Sequence, residues 1–324
     1  MSRCRTAAAR GTIPGREEQS LIGLVFSGQG AQYSGMGKSL AACSPAAEQI
    51  FELADAIRPG TSAQCFSGTK EELTETRNTQ PCMFAVEVAA AAALREHGIE
   101  ADALAGFSLG EISALAWSGA VSIEDGFRLV TRRGELMQEA SEQARTGMVA
   151  VMKLAPEQVE ALCAGFQRVW PVNYNCPGQI VVSGAAEEMD GVKAAVKAAK
   201  GRAVPLAVAG AFHSPYMASA SEGLSAYLAD QSFRTPSVPL YSDYTAQPYE
   251  GDYAELLTKQ VVNPVRWQMI VENMIASGID TFIEVGPGKT LCGLIRKINQ
   301  NVRTLHVEDE VSLNETLAAL RADA

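Results

Sequence analysis

The sequence predicts an α/β fold in which a large parallel-sheet subdomain is interrupted by a small, ferredoxin-like one. Three observations carry that prediction. Short apolar strands alternate with helices at both ends of the chain, the pattern of one parallel sheet covered by helices. Between them, residues 146–208 switch to the order strand, helix, strand, strand, helix, strand, which is the ferredoxin-like unit. Residues 101–119, ADALAGFSLGEISALAWSG, read as a strand, a G-x-S-x-G turn and a helix.

The elements follow in order. Residues 1–20 hold Arg3, Arg5, Arg10 and Arg16 with no acid before Glu17. They lack the apolar stretch of a secretory signal and only weakly resemble a transit peptide, so a disordered leader is expected. The large subdomain is expected over 21–145 and 209–310, with 311–324 as a C-terminal tail. Residues 21–26 form an apolar strand that runs into Ser27-Gly28-Gln29-Gly30-Ala31-Gln32, where glycines let a backbone approach a ligand. This is not a phosphate loop of a known kind: G-K-[ST] is missing, and Tyr33 stands where the last glycine of G-x-G-x-x-G would be.

A helix is expected near 45–56, then a polar stretch ending at Asn78-Thr79-Gln80-Pro81, then a buried alanine-rich helix over 82–97 that stops at Gly98. In the following turn, Gly106 and Gly110 let strand and helix approach where a Cβ would clash. Ser108 would project from it toward helix N–H groups that lack intrahelical partners. That context is an α/β-hydrolase-like nucleophile elbow. Residues 124–143 read as a helix with Phe127, Val130, Gly134 and Met137 on its apolar side and Arg133 in its middle.

In the insertion, strands are expected at 148–154, 169–174, 179–183 and 203–208, with helices at 156–165 and 186–200. The chain then passes Gly210-Ala211-Phe212-His213-Ser214-Pro215 into a helix from 217 to about 230. Past a strand near 240–242, a helix ends near Val262, because Pro264 disfavours helical geometry in its predecessor. A helix over 265–277, a strand over 281–285 and a helix over 290–298 complete the pattern.

Composition bounds the function. An apolar content of 47% and a charged content of 20% describe an ordinary globular protein. A net charge of −10 argues against a general nucleic-acid or anionic-membrane binder, and no apolar run reaches spanning length. The seven cysteines include no C-x-x-C pair, which suggests reduced thiols and a cytoplasmic setting; Cys176 reads as a small packing residue. With only His97, His213 and His306, a zinc site is not expected, nor is any other metal or bound cofactor. His97, before Gly98 at a helix end, and His306, before three acids, read as structural or surface residues. Any histidine chemistry falls to His213.

Several stretches together resemble the malonyl-CoA:acyl-carrier-protein transacylase family and the related acyltransferase domains of polyketide synthases. They are GQGAQ at 28–32, TQP at 79–81, GFSLGE at 106–111, RGELMQ at 133–138, NCPGQIVVSG at 175–184, FHSPYM at 212–217, QVVNPVRW at 260–267 and EVGPGKTL at 284–291. The resemblance implies Ser108 as nucleophile and His213 as its general base, a dyad in which the backbone carbonyl of Gln260 orients the imidazole. It implies an oxyanion hole from the N–H groups of Gln29 and Leu109, and Arg133 as partner of the malonyl carboxylate. Gln80, Phe107, Asn175 and Phe212 would surround the acyl group and pantetheine.

The family motif most often reads G-H-S-L-G-E, so Phe107 replaces a histidine here. Phe212 matches the phenylalanine of malonyl-selective polyketide acyltransferases, although the histidine that begins their signature is Gly210 in this chain. By the resemblance, a Ser-linked malonyl group passes from coenzyme A to an acyl carrier protein, for fatty-acid or polyketide synthesis. Docking of that acidic partner is expected at Lys200 and Arg202, the latter at a family docking position. The protein is expected to be a monomer. A hydrolase on the same scaffold is the alternative, disfavoured by Arg133, and a non-catalytic carrier-binding scaffold is disfavoured by the complete set of reactive residues.

Overall fold

A computed structural model describes residues 20–206 and 210–322. The expected leader therefore falls, except for Ser20, outside the described residues, as do the last positions of the strand expected over 203–208 and the boundary at 208/209. The strands are β1 (Ile22–Phe26), β2 (Ala103–Gly106), β3 (Thr146–Met152), β4 (Val169–Cys176), β5 (Gln179–Ala185), β6 (Arg202–Pro205), β7 (Leu240–Tyr241), β8 (Thr281–Val285) and β9 (Arg303–Val307).

Five of them make the large sheet in the order β7-β2-β1-β8-β9, every pairing parallel. Helices cover both of its faces, and β2 and β8 are buried along their whole length, which is why these strands read as apolar runs rather than alternations. The register sets β1 beside β2 so that Phe26 pairs with Gly106, at the mouth of the Ser108 turn. The other four strands form an antiparallel sheet in the order β4-β5-β3-β6, the strand order of a ferredoxin-like unit. Helices Pro156–Cys163 and Met189–Ala198 close its own small core around Val159, Val182, Val192 and Val196.

Two expectations change. The helix expected over 82–97 begins at Thr76 and runs to Glu96, passing through Pro81. Its first turn is fastened from outside: the Thr76 N–H donates to Gln138 Oε1 at 2.8 Å, and Thr79 Oγ1 donates to Leu73 O at 2.6 Å. Pro81 stands in the second turn, where it removes the bond to the Arg77 carbonyl, and packing of the buried helix carries the chain through it. This helix is buried almost all round and forms the central strut of the large subdomain. Most of the tail expected over 311–324 is a packed helix instead, its last two residues lying outside the described ones. Helix Glu310–Arg321 begins at an Asp309 cap, whose Oδ1 accepts the Ser312 N–H at 2.8 Å, and it buries Leu313 and Leu317 in the main core.

Candidate active site

Ser108 sits between β2 and helix Leu109–Trp117 with φ 56° and ψ −101°, a conformation that costs an L-residue about 1–3 kcal/mol and is kept only where surroundings enforce it. The flanking glycines are the enforcement. A Cβ on Gly106 would lie 2.0 Å from Gly110 C and O, and one on Gly110 would lie 2.4 Å from Phe26 O. The crowded turn lifts the serine out of the sheet end, and the Leu109 N–H, at the first helical position, precedes any intrahelical acceptor.

His213 meets it from the other half of the large subdomain, also in left-handed backbone at φ 58°. Its Nε2 is 2.7 Å from Ser108 Oγ, and its Nδ1 is 2.9 Å from Gln260 O. A carbonyl only accepts, so Nδ1 carries the proton and Nε2 is the free acceptor for the serine hydroxyl. Burial, reinforced by the Arg133 charge, lowers the imidazole pKa to about 4. It is therefore neutral, and able to act as a base, at physiological pH.

Arg133 is delivered by helix Ile123–Glu142, which packs so closely on the Thr76–Glu96 helix that a Cβ on Gly134 would lie 3.0 Å from Thr76 O. The guanidinium is 1% exposed. One terminal nitrogen donates to Gln80 Oε1 at 2.9 Å; the other donates to Gln260 Oε1 at 2.7 Å and Ser108 Oγ at 3.2 Å. Its Nε has no partner, and among the described residues it makes no ion pair. Burial lowers its pKa to about 10, which leaves it charged. A buried cation held by neutral amides has the chemistry to pair with a carboxylate, since a planar guanidinium can grip both of its oxygens.

The space around these groups is a chamber of about 80 Å³ lined by Gln29, Gln80, Phe107, Ser108, Met137, Met148, Asn173, Leu206, Phe212 and His213. Gln29, Phe107, Asn173 and Leu206 also line a second hollow of about 230 Å³. Gln179 lines both that one and a third, of about 290 Å³, whose rim carries Lys153, Arg202 and Lys297 and no acid. Shared lining residues set the three hollows side by side, from Ser108 to this basic mouth.

Most of the residues expected from sequence converge here, with three adjustments. Asn175 lines the middle hollow and not the Ser108 chamber, where Asn173 stands instead; β4 carries register shifts between Pro171 and Asn173 and between Tyr174 and Cys176, so simple alternation does not identify the inward residue. Lys200 is exposed but does not line the basic mouth, which Lys153 and Lys297 share with Arg202. Phe107 packs against Trp267, with ring centroids 5.6 Å apart, and against Gly28, where a Cβ would lie 2.8 Å from Phe107 Cδ1. It buttresses the GQG loop where a histidine is usual.

Sequence reading missed the layer below. The Ser108 N–H donates to Asp243 Oδ2 at 2.7 Å, and the Gln260 amide donates to Ser108 O and to Glu111 Oε2, each at 2.7 Å. Tyr249 Oη donates to Glu111 Oε1 at 2.6 Å. Pairs separated by 135 to 152 positions leave no local signal in sequence.

The profile of the acyl transferase domain family matches residues 24–320. The chain is 38% identical over 315 residues to the malonyl CoA-acyl carrier protein transacylase of Bacillus subtilis, spanning 94% of this chain and 98% of that protein. It is 39% identical over 282 residues to the protein of the same name from Escherichia coli strain K12, spanning 85% and 91%. Among solved structures, the malonyl CoA-acyl carrier protein transacylase of Clostridium perfringens superposes with a TM-score of 0.90 at 39% identity, covering 94% of this chain and 98% of that one. A malonyl-transacylase in complex with a type II polyketide synthase acyl-carrier protein superposes with a TM-score of 0.89 at 35% identity, covering 93% and 100%.

Proposed function

The chain belongs to the acyl transferase domain family and is an acyltransferase, and from that premise we propose that it carries malonyl groups from malonyl-CoA to the phosphopantetheine thiol of an acyl carrier protein in two half-reactions. The observation that carries the reading is Arg133, a buried guanidinium with no ion pair among the described residues, 3.2 Å from the Ser108 hydroxyl. A malonyl thioester differs from an acetyl thioester by one carboxylate, and this cation is placed to reward that charge at the reacting carbon chain.

In the first half-reaction Ser108 Oγ attacks the thioester carbonyl while His213 Nε2 takes its proton. The tetrahedral oxyanion is held by the N–H groups of Leu109 and Gln29. Collapse breaks the C–S bond, and the imidazolium returns its proton to the leaving thiolate. In the second, the carrier thiol gives its proton to His213 and attacks the malonyl-serine ester; the C–O bond breaks, and Ser108 Oγ takes the proton back from the imidazolium as it leaves. Water must be kept from that ester; Phe212, Met137 and Met148 supply apolar walls. The basic mouth with Arg202 is suited to the phosphate of a pantetheine arm and to the acidic face of a carrier protein. No step draws on a metal or a resident cofactor, and the reaction is expected in the cytoplasm; among the described residues no helix is long and apolar enough to cross a membrane.

Incubation with labelled malonyl-CoA, with and without a phosphopantetheinylated carrier protein, tests the proposal. Label on Ser108 and then on the carrier is expected. Release of free malonate at the same rate with or without carrier would make the protein a hydrolase, and absence of label from the serine would remove the mechanism.

A further inference from the structure

Two buried carboxyl groups lie under the nucleophile and take no part in the mechanism above. Resting on the reading of Ser108 as an acyl-accepting serine, we propose that Glu111 and Asp243 act as a positioning pair, holding one proton between them on Asp243 and fixing Ser108, Gln260 and Arg133 in register.

Burial and charge balance call for the proton. Glu111 and Asp243 are wholly buried and both lie against Gln260 Nε2, at 2.7 and 3.3 Å, and Arg133 is the cation that faces them, so two ionised carboxylates would leave a net negative charge out of water. Their partners say which. Glu111 accepts from Tyr249 Oη at 2.6 Å and from Gln260 Nε2 at 2.7 Å, which suits the ionised form. Asp243 Oδ2 accepts the Ser108 N–H at 2.7 Å and only a long 3.3 Å contact from Gln260, and its buried Oδ1 has no hydrogen-bond partner among the described residues, which favours the neutral acid there. Burial and the neighbouring Glu111 charge push the Asp243 pKa well above the usual carboxylate range, consistent with the same assignment.

The charged and titratable groups facing the pair are Arg133 and Tyr249, with Tyr253 against Tyr249 and His213 on the far side of Arg133 and Gln260. With one proton on the pair, the single Glu111 charge balances Arg133 across the Gln260 amide, whose oxygen accepts from Arg133 and whose nitrogen donates to Glu111. With none, a second negative charge would sit uncompensated in the interior. The same arrangement turns the Ser108 N–H away from the chamber, toward Asp243, while the Ser108 carbonyl accepts from Gln260. Both backbone groups of a strained residue are thus fixed by this layer.

The test reads the serine without an acyl donor. A fluorophosphonate forms an Oγ–P bond with Ser108 and expels fluoride, while His213 takes the hydroxyl proton; the rate reports the elbow and base alone. Parent, Asp243→Leu, Asp243→Asn and Glu111→Gln proteins are compared, each checked for a cooperative melt. We expect Asp243→Leu to slow phosphonylation by about 100-fold, the loss that a small misplacement of a reacting group brings. Asp243→Asn, whose amide accepts from Ser108 and is neutral like the protonated acid, restores the rate to within about threefold. Glu111→Gln, which sets amide donors against Gln260, slows it by about tenfold or more.

If Asp243→Leu does not fold, the contrast between the two amide variants decides. Equal effects of Asp243→Asn and Glu111→Gln, or the reverse order, would overturn the assignment. A parent enzyme that resists the reagent would instead remove the Ser108–His213 reading itself, so the two failures are distinguishable.

Discussion

The large and small subdomains wall the same chamber but bring different things to it. The large one carries the groups to which the proposed mechanism gives the chemistry: Ser108, His213, Arg133 and the Gln80 and Gln260 amides, all joined by hydrogen bonds of 2.7–3.2 Å. Ser108 and His213 both sit in left-handed backbone, strain that a parallel sheet with helices on both faces can hold. The small subdomain adds Met148 and Asn173 to the chamber, neither of them titratable, and Lys153 and Arg202 to its mouth. Chemistry needs preorganised groups in a dry network, whereas admission needs shape and charge at a rim. The two subdomains divide those requirements, so changes in them should be separable in kinetics.

The largest effects should come from the dyad. Ser108→Ala should abolish covalent malonyl loading, measured by mass spectrometry of the intact protein, and leave the melting temperature near that of the parent. His213→Ala should slow loading by about 10²–10⁴-fold, the contribution of a positioned base. A His213→Ala protein that loads as fast as the parent would show that the large subdomain does not own the chemistry.

Next is Arg133→Ala. A carboxylate entering this chamber without its partner would be desolvated and unpaired, a cost of several kcal/mol. Its kcat/KM for malonyl-CoA should fall by about two to four orders of magnitude, with acetyl-CoA affected much less. Phe212, at the chamber wall, should hold methylmalonyl-CoA below malonyl-CoA in both proteins, because the added methyl must fit between Phe212 and Met137 or Met148. An equal loss for malonyl- and acetyl-CoA would make Arg133 a support of the fold and erase the division between reactive and admitting regions.

The same division explains what could be read from sequence. G-x-S-x-G is legible because its glycines answer to a local steric demand, and the insertion is legible because its strand and helix order is short-range. The roles of His213, Arg133 and the Gln260 carbonyl came from motifs shared with a family. The Gln260 side chain, Glu111, Asp243 and Tyr249 were not legible, because their roles exist only through partners far away in the chain. Pro81 read as a break because its missing donor is a local fact, while the packing that carries the helix through it is not. Helix Glu310–Arg321 did carry a local signal, Asp309 before Leu313 and Leu317, which the run of acids around it obscured.

A smaller effect is expected at the mouth. Arg202 is exposed and shares its hollow with Lys153 and Lys297, against an overall charge of −10 that opposes an acidic carrier. Arg202→Glu should raise KM for the carrier by roughly five- to tenfold, as reversing one rim charge does at low salt, and leave loading from malonyl-CoA nearly unchanged. The difference should shrink as salt is added. Unchanged carrier kinetics at low ionic strength would move docking away from the small subdomain.

The smallest effect is a dependence on pH that should be missing. A histidine base with the ordinary pKa of about 6.5 would be half protonated at pH 6.5 and would lose roughly tenfold in rate by pH 5.5. His213 is lowered to about 4, first by burial and then by the Arg133 charge, so its neutral form persists through that whole range. The protonated form has no lone pair to receive the Ser108 proton, so activity is present above the folded pKa and lost as pH falls through it. Loading rates between pH 5.5 and 8 should therefore be flat to within about a factor of two, with the half-point near pH 4. Arg133→Ala removes one of the two causes and should move that half-point toward neutrality, which can be followed with acetyl-CoA as donor because its binding does not need the arginine. A half-point near 6.5 in the parent would mean that water or a counter-charge reaches the imidazole, and that the chamber is not the dry interior on which the contrast between the two subdomains depends.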